Sequence, residues 1–340
     1  MLFRSKYKEN IMNKFKKIGL SALAGSLVAT SAYAGEVTVA GSAGMFLEHI
    51  NGGAANSGKS FSMSNQLTFT GGGELDNGLN VSISFVIDQG DDTTTSVGSG
   101  TLTFGGGAPF DSHSVTVSSD SLGSLTMTGE GMDSASGAVD GTVSGNIWDA
   151  FQASADEPQA APGAAGGLNY TLPSLMDDLT VKASYSPKGS NADSSTAWSV
   201  AYAGVDGLSL TFARGEDNAT AGSEADHEVM KATYAYGPVT VGYMESDYND
   251  AVASGDQNTT AYNVAYTVSD ELSLSYGSEE LTFGAASATN VAAEFERVKV
   301  TYVSGGMTLT ASQASGDNVS YTTATTEDRE VWALGASFAF

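Results

Sequence analysis

Apolar and polar residues alternate one by one, in segment after segment, from residue 36 to the end of the chain. At the C-terminus Trp332, Leu334, Ala336, Phe338 and Phe340 share one parity, while Ala333, Gly335, Ser337 and Ala339 share the other. A period of two puts the two sets on opposite faces of a β-strand. The pattern recurs in Leu79, Val81, Ile83, Phe85 and Ile87 against Asn80, Ser82 and Ser84, and in Phe61, Met63, Leu67 and Phe69 against Ser60, Ser62, Gln66 and Thr68. Tyr262, Val264, Tyr266 and Val268 repeat it later in the chain. No segment keeps a helical period over a useful length, and none approaches the roughly 18 consecutive apolar residues of a spanning helix. An all-β chain is expected.

Soluble β-sandwiches alternate too, so the polar face has to decide the environment. It is made mainly of Ser, Thr, Asn and Gly, and no strand is apolar on both faces. That suits a sheet with lipid outside and water inside, which must close on itself because backbone groups at membrane depth have no water to bond. Alternation and turn residues predict about sixteen strands, among them 207–214, 227–236, 238–246, 271–281 and 306–314. The links alternate in length. Tight ones fall at 72–77, 120–122, 174–178, 204–206, 237–238, 269–270 and 304–305, and the longest runs over 130–166. Short turns at one end, long loops at the other and an even strand count predict a transmembrane antiparallel β-barrel with short periplasmic turns and long extracellular loops. A secreted sandwich or a plugged barrel with a structural or adhesive role is the alternative.

Charge supplies the compartment. Six of the 14 bases, Arg4, Lys6, Lys8, Lys14, Lys16 and Lys17, precede a short apolar stretch that ends in Ala32-Tyr33-Ala34. A basic start, an apolar centre and an A-x-A site predict a secretory signal peptide over residues 1–34, with Met12 as a better start and 1–11 upstream of it. A transmembrane helix is disfavoured by Gly19, Ser21, Gly25, Ser26, Thr30 and Ser31. Losing this leader also removes one of the 39 acids, so the net charge moves from −25 to −30. A chain this acidic repels nucleic acid, and without cysteine it has neither disulfides nor thiolate sites.

At this point the chain resembles a general bacterial outer-membrane porin of the sixteen-stranded trimeric type, particularly those of alphaproteobacteria. The resemblance rests on the signal peptide with Gly35-Glu-Val-Thr-Val, the hairpin from Val115 to Met127, the segment Leu168-Asn-Tyr-Thr-Leu-Pro-Ser174 and the terminal Ala333-Leu-Gly-Ala-Ser-Phe-Ala-Phe340. It implies a homotrimer in outer-membrane lipid and lipopolysaccharide. It also implies a C-terminal Phe340 read by the barrel-assembly machinery, and a third long loop folded inward to narrow the pore.

The 130–166 loop carries Glu130, Asp133, Asp140, Asp149, Asp156 and Glu157 and no base. It is either a solvated surface loop or, as the resemblance implies, an acidic constriction element. If the apolar parities face lipid, Lys182, Lys231, Arg297, Lys299 and Arg329 all face the lumen. The remaining bases, Lys59, Lys188 and Arg214, fall in or beside long loops. A charge on the lipid face at mid-membrane costs roughly 2–4 kcal/mol, so this sorting is what a barrel requires. The resemblance implies that Lys182, Arg297, Lys299 and Arg329 oppose the acidic loop across the constriction; alternatively these bases balance local acids such as Glu36 or Asp88. His49, His113 and His227 are scattered and are expected to be ordinary polar side chains near loop ends. No catalytic motif occurs. The acid runs at 88–92 and 224–228 offer Ca²⁺ ligands but lack EF-hand spacing, so no cofactor is expected. The expected function is a water-filled channel for small hydrophilic solutes and ions, with a cation preference drawn from the net charge and the acidic loop.

Overall fold

The computed structural model describes residues 37–52, 58–88, 111–151, 166–187, 194–220, 223–251, 255–284, 291–323 and 327–340. The expected leader, Glu36, Lys188, Asp156 and Glu157 lie outside them.

Sixteen strands are present: β1 Val37–Asn51, β2 Gly58–Glu74, β3 Asn80–Asp88, β4 Ser112–Ser119, β5 Gly123–Glu130, β6 Gly167–Thr171, β7 Leu179–Ser186 and β8 Ser195–Val205 complete the first half. The second half is β9 Leu208–Thr220, β10 Ser223–Tyr236, β11 Val239–Asp250, β12 Gln257–Thr267, β13 Leu272–Phe283, β14 Ala293–Ser304, β15 Met307–Asp317 and β16 Arg329–Ala339. Each pairs antiparallel with its sequence neighbours, and β1 closes the ring on β16 from Ser42↔Ala339 to Asn51↔Glu330. Closure leaves no open sheet edge, which removes the sandwich alternative. No helix among the described residues is long and apolar enough to cross a membrane.

The alternation sorts as the sequence predicts. Val241, Val264, Leu274, Val298 and Leu334 stand on the outer surface, and Phe61 is 85 % exposed there. Tyr236, Tyr266 and Tyr302 ring the outer face near the short turns, while Tyr185, Tyr243 and Tyr276 ring it toward the long loops. Their hydroxyls leave the apolar band: Tyr243 donates to Glu245 at 3.0 Å and Tyr276 to Glu296 at 2.9 Å. Tyrosine suits both boundaries because its ring is apolar and its tip polar.

Several strands run further toward the long loops than expected. β9 continues to Thr220 rather than 214, and β11 to Asp250 rather than 246. Above the lipid band both faces turn polar, so the two-residue contrast fades while the hydrogen-bond ladder goes on. Glu216, Asp226, Glu228, Asp247, Glu280 and Glu294 consequently stand on the outer face of strands, because they share parity with Phe212, Met230, Tyr243, Tyr276 and Val298. Arg214 is likewise on the outer face within β9, 3.4 Å from Asp226, and Lys59 lies within β2; neither is a loop residue. Glu130 ends β5 opposite His113 and does not belong to the loop.

Candidate functional site: a loop docked inside the barrel

The connection from β5 to β6 enters the barrel. Over 131–151 it forms two short 3-10 turns, Gly137–Val139 and Ile147–Phe151, and it rests on lumenal side chains. Two apolar platforms on the otherwise polar inner face receive it. Ile147 and Phe151, both fully buried, pack with Ile50, Leu281, Phe295, Val319 and Val331, and the Phe151 and Phe295 rings lie 5.2 Å apart. Val139 and Val143 sit on Ala213, Val229, Met244 and Ala261. Burying a side chain of this size stabilises the docked state by about 1.5–3 kcal/mol. Gly277 gives the loop room, since a Cβ there would lie 2.6 Å from that of Ser144.

Polar contacts fix the register. Glu279, 1 % exposed, accepts the hydroxyls of Thr142 and Ser144, the latter at 2.7 Å, and the main-chain N–H of Trp148 at 3.1 Å. A buried carboxylate is tolerable only when its oxygens are bonded in this way. Arg297 donates to the carbonyls of Ser144 at 2.5 Å and Gly145 at 3.1 Å. Arg329 donates to the Phe151 carbonyl at 3.0 Å while holding Glu327 at 2.8 Å, and Lys231 donates to the Gly141 carbonyl. Nearer the start of the loop, Ser184 accepts the Ala135 N–H at 2.9 Å and Asn169 donates to the Asp133 carbonyl at 3.0 Å.

Lys231, Arg297 and Arg329, assigned to the lumen by parity, thus bind the main chain of the loop. Lys182 and Lys299 share the same inner face, on β7 and β14, without a bond to the described residues of the loop. Of the acids, Asp133 and Asp149 are exposed on the loop and Asp140 is half-buried. Glu279 had not been singled out from the sequence. Its signal was parity: Glu280 shares the outward parity of Tyr276, and Glu279 is a carboxylate on the inward one. His227 also departs from expectation, being fully buried and directed inward with its Nε2 3.1 Å from the Ser246 hydroxyl.

A closed sixteen-stranded sheet with a loop bonded to its inner wall is a framework for passage, and a Gram-negative porin family model matches residues 19–297. The chain belongs to the Gram-negative porin family. Solved structures similar to this porin include an anion-selective porin from Comamonas acidovorans, with TM-score 0.65 and 16 % identity over 90 % of this chain and 99 % of that one. A loop L8 deletion variant of OmpT, an outer membrane protein of Vibrio cholerae, has TM-score 0.63 at 16 % identity, covering 90 % of this chain and 100 % of that one. A Rh. blastica porin variant matches at TM-score 0.63 and 15 % identity with the same coverage. At such identities the likeness concerns the fold. No curated protein matches the sequence. This porin is therefore an outer-membrane channel protein, and its family and fold are not those of enzymes.

The loop of this porin contacts β1, β6, β7 and β9 to β16, whereas β2 to β5 carry a different lumenal face. There the inward parity is Ser60, Ser62, Ser64, Gln66, Thr68 and Thr70 on β2, continued by Ser82, Ser84, Ser114, Thr116 and Thr126. Neighbouring hydroxyls bond each other, as Thr116 and Thr126 do at 2.8 Å. Among the described residues no group of three or more His, Asp or Glu side chains is placed to hold a metal ion.

Proposed function

We propose that this porin passes small hydrophilic solutes and ions by passive diffusion, through a water-filled lumen narrowed by the 131–151 segment of the loop. The observation that carries this reading is the asymmetry of the lumen. The loop is bonded to one side of the wall, and the facing side presents mainly hydroxyl groups, with the Asp88 carboxylate at the end of β3, that exchange hydrogen bonds with water and solute alike. Such a path requires no cofactor.

A cation preference is part of the proposal, on grounds other than net charge. Much of the negative charge stands outside the barrel, on residues such as Glu216, Asp226 and Glu294, and so does not set the sign of the lumen. Lys231, Arg297 and Arg329 are engaged by loop carbonyls, whereas Asp133 and Asp149 are exposed on the loop. Reversal potential across a planar bilayer under a KCl gradient tests both parts. Cation-side reversal is expected; anion-side reversal would overturn the selectivity, and absence of conductance would overturn the channel in favour of a plugged barrel.

The trimer is supported by the uneven wall. Strands β4, β5 and β7 have eight residues each and β6 has five. At about 3.3 Å per residue and a tilt of roughly 45°, eight residues rise only about 19 Å, short of the apolar band of about 25 Å. Covering this side with another copy relieves the mismatch. Mass measurement of the detergent-solubilised protein tests it, and a stable monomer would refute it. Export by the 1–34 leader, recognition of Phe340 by the barrel-assembly machinery and residence among lipopolysaccharide complete the proposal. Shortening the chain by Phe340 is expected to lower its amount in the outer membrane, and an unchanged amount would count against that recognition.

A further inference from the structure

Among the titratable side chains of the inner wall, His227 makes its hydrogen bond within the wall, to Ser246, and not to the loop. His227 is fully buried on β10, and its Nδ1 makes no hydrogen bond. Two residues along the same inward row, Val229 belongs to the platform under Val139 and Val143, and two further on Lys231 bonds the Gly141 carbonyl. His227 therefore stands at the end of the row of side chains that supports the loop.

Its neighbours make the site sensitive to a proton. On β9, Gly215 is opposite His227, and Asp217 is the next inward residue. On β11, Tyr248 is opposite with its ring 6.5 Å away, Ser246 bonds Nε2, and Asp250 is the inward residue beyond Tyr248. The Tyr248 hydroxyl is bonded to Asp217, and Gln257 on β12 pairs with Tyr248. Asp247, Asp226 and Glu228 are carboxylates on the opposite face of the same strands. From the loop side the charged group is Asp140, beside Lys231. With a neutral imidazole the ring is accommodated out of contact with solvent. A proton on Nδ1 creates a buried N–H without an acceptor and a cation drawn toward Asp217, in competition with Tyr248. A buried charge of this kind is relieved by rearrangement.

We propose that His227 is an acid-sensitive latch for the loop: protonation displaces the His227–Tyr248 row, loosens the Val229–Met244 platform, and lets the loop leave the wall and obstruct the lumen. This rests on the channel reading above. A packed platform with two discrete arrangements is the kind of element through which a local proton can act.

The test is planar-bilayer recording of the full-length wild type and His227→Gln as the pH is lowered from about 7.5 to about 3, a range that extends well below the ordinary titration of histidine because a buried imidazole resists protonation. The wild-type mean current is expected to fall by roughly half or more with stepwise closures, while His227→Gln holds its current, as a population shift of one two-state element requires. A wild-type current independent of pH would overturn the latch. So would a parallel fall in His227→Gln, which would assign the response to carboxylates such as Glu279. A wild type without conductance at about pH 7.5 would instead overturn the channel reading itself. Far-ultraviolet circular dichroism and heat-shifted gel mobility of the variant establish that its barrel is folded.

Discussion

The hydroxyl of Ser144 lies 2.7 Å from a carboxylate oxygen of Glu279, residues 135 positions apart in sequence. Glu279 also takes Thr142 and the Trp148 N–H, so one buried carboxylate secures a full turn of the loop. In Glu279→Gln an amide NH₂ replaces one acceptor oxygen and the charge is lost. Bonds to a charged group contribute about 1.5–3 kcal/mol, and docking is expected to weaken on that order. The readout is open-channel noise together with proteolysis within 131–151, both rising while the barrel keeps its heat-shifted gel mobility. A quiet channel with wild-type protection would contradict the anchoring role.

Gly277 separates space from charge. Gly277→Val places a Cβ where Ser144 and Ile147 now approach, at 2.6 and 3.2 Å, and the branched side chain adds to the conflict. Overpacking typically costs about 1–3 kcal/mol, and here the loop gives way more readily than the wall. A change in single-channel conductance of folded protein is expected; an unchanged value would mean that the loop does not define the narrow section.

Arg297→Gln removes a lumenal positive charge but retains a donor toward the Ser144 and Gly145 carbonyls. The ratio of cation to anion permeability is expected to rise, because the opposing fixed charge is gone. A ratio that falls or stays constant in reversal-potential measurements would remove Arg297 from the electrostatics of the path.

Arg214 supplies the contrast. Its pair with Asp226 is on the outer face, with the two side chains about half exposed, and surface pairs contribute only about 0–1 kcal/mol. Arg214→Gln should leave conductance and selectivity as they are. A shifted reversal potential would show that charge outside the barrel reaches the permeation path.

The strands were legible in the sequence because burial in lipid on one face and water on the other imposes a strict two-residue contrast, and closure follows from the backbone's need for partners. The strand ends were less legible, since Glu216 and Asp226 place polar groups outward where lipid has ended. The docking of the loop was written in violations of the pattern. Phe295, Leu281, Val331 and Val229 are apolar on the lumenal parity, and each lies in a platform under the loop. An apolar residue facing water is the mark of something that covers it. The partnership of Arg297 with carbonyls rather than acids was not legible, because main-chain acceptors leave no trace in residue type.

Barrel closure at the C-terminus is a further point of test. Gly41 exchanges main-chain bonds with Phe340, at 2.7 and 2.9 Å, and the Phe340 ring occupies the space a Cβ on residue 41 would need. Gly41→Val is expected to slow refolding into detergent micelles, measured by the heat-shifted gel band, with the unshifted form persisting. Wild-type refolding would show that the ring moves aside without cost.

The central claim is that this barrel encloses a water-filled path for small hydrophilic solutes. Swelling of liposomes containing the purified protein, in neutral sugars and polyols of increasing size, tests it most directly. Rapid swelling with the smallest solutes, declining steadily to none as solute size increases, is the expected result. Liposomes that fail to swell even with the smallest polyol would contradict it.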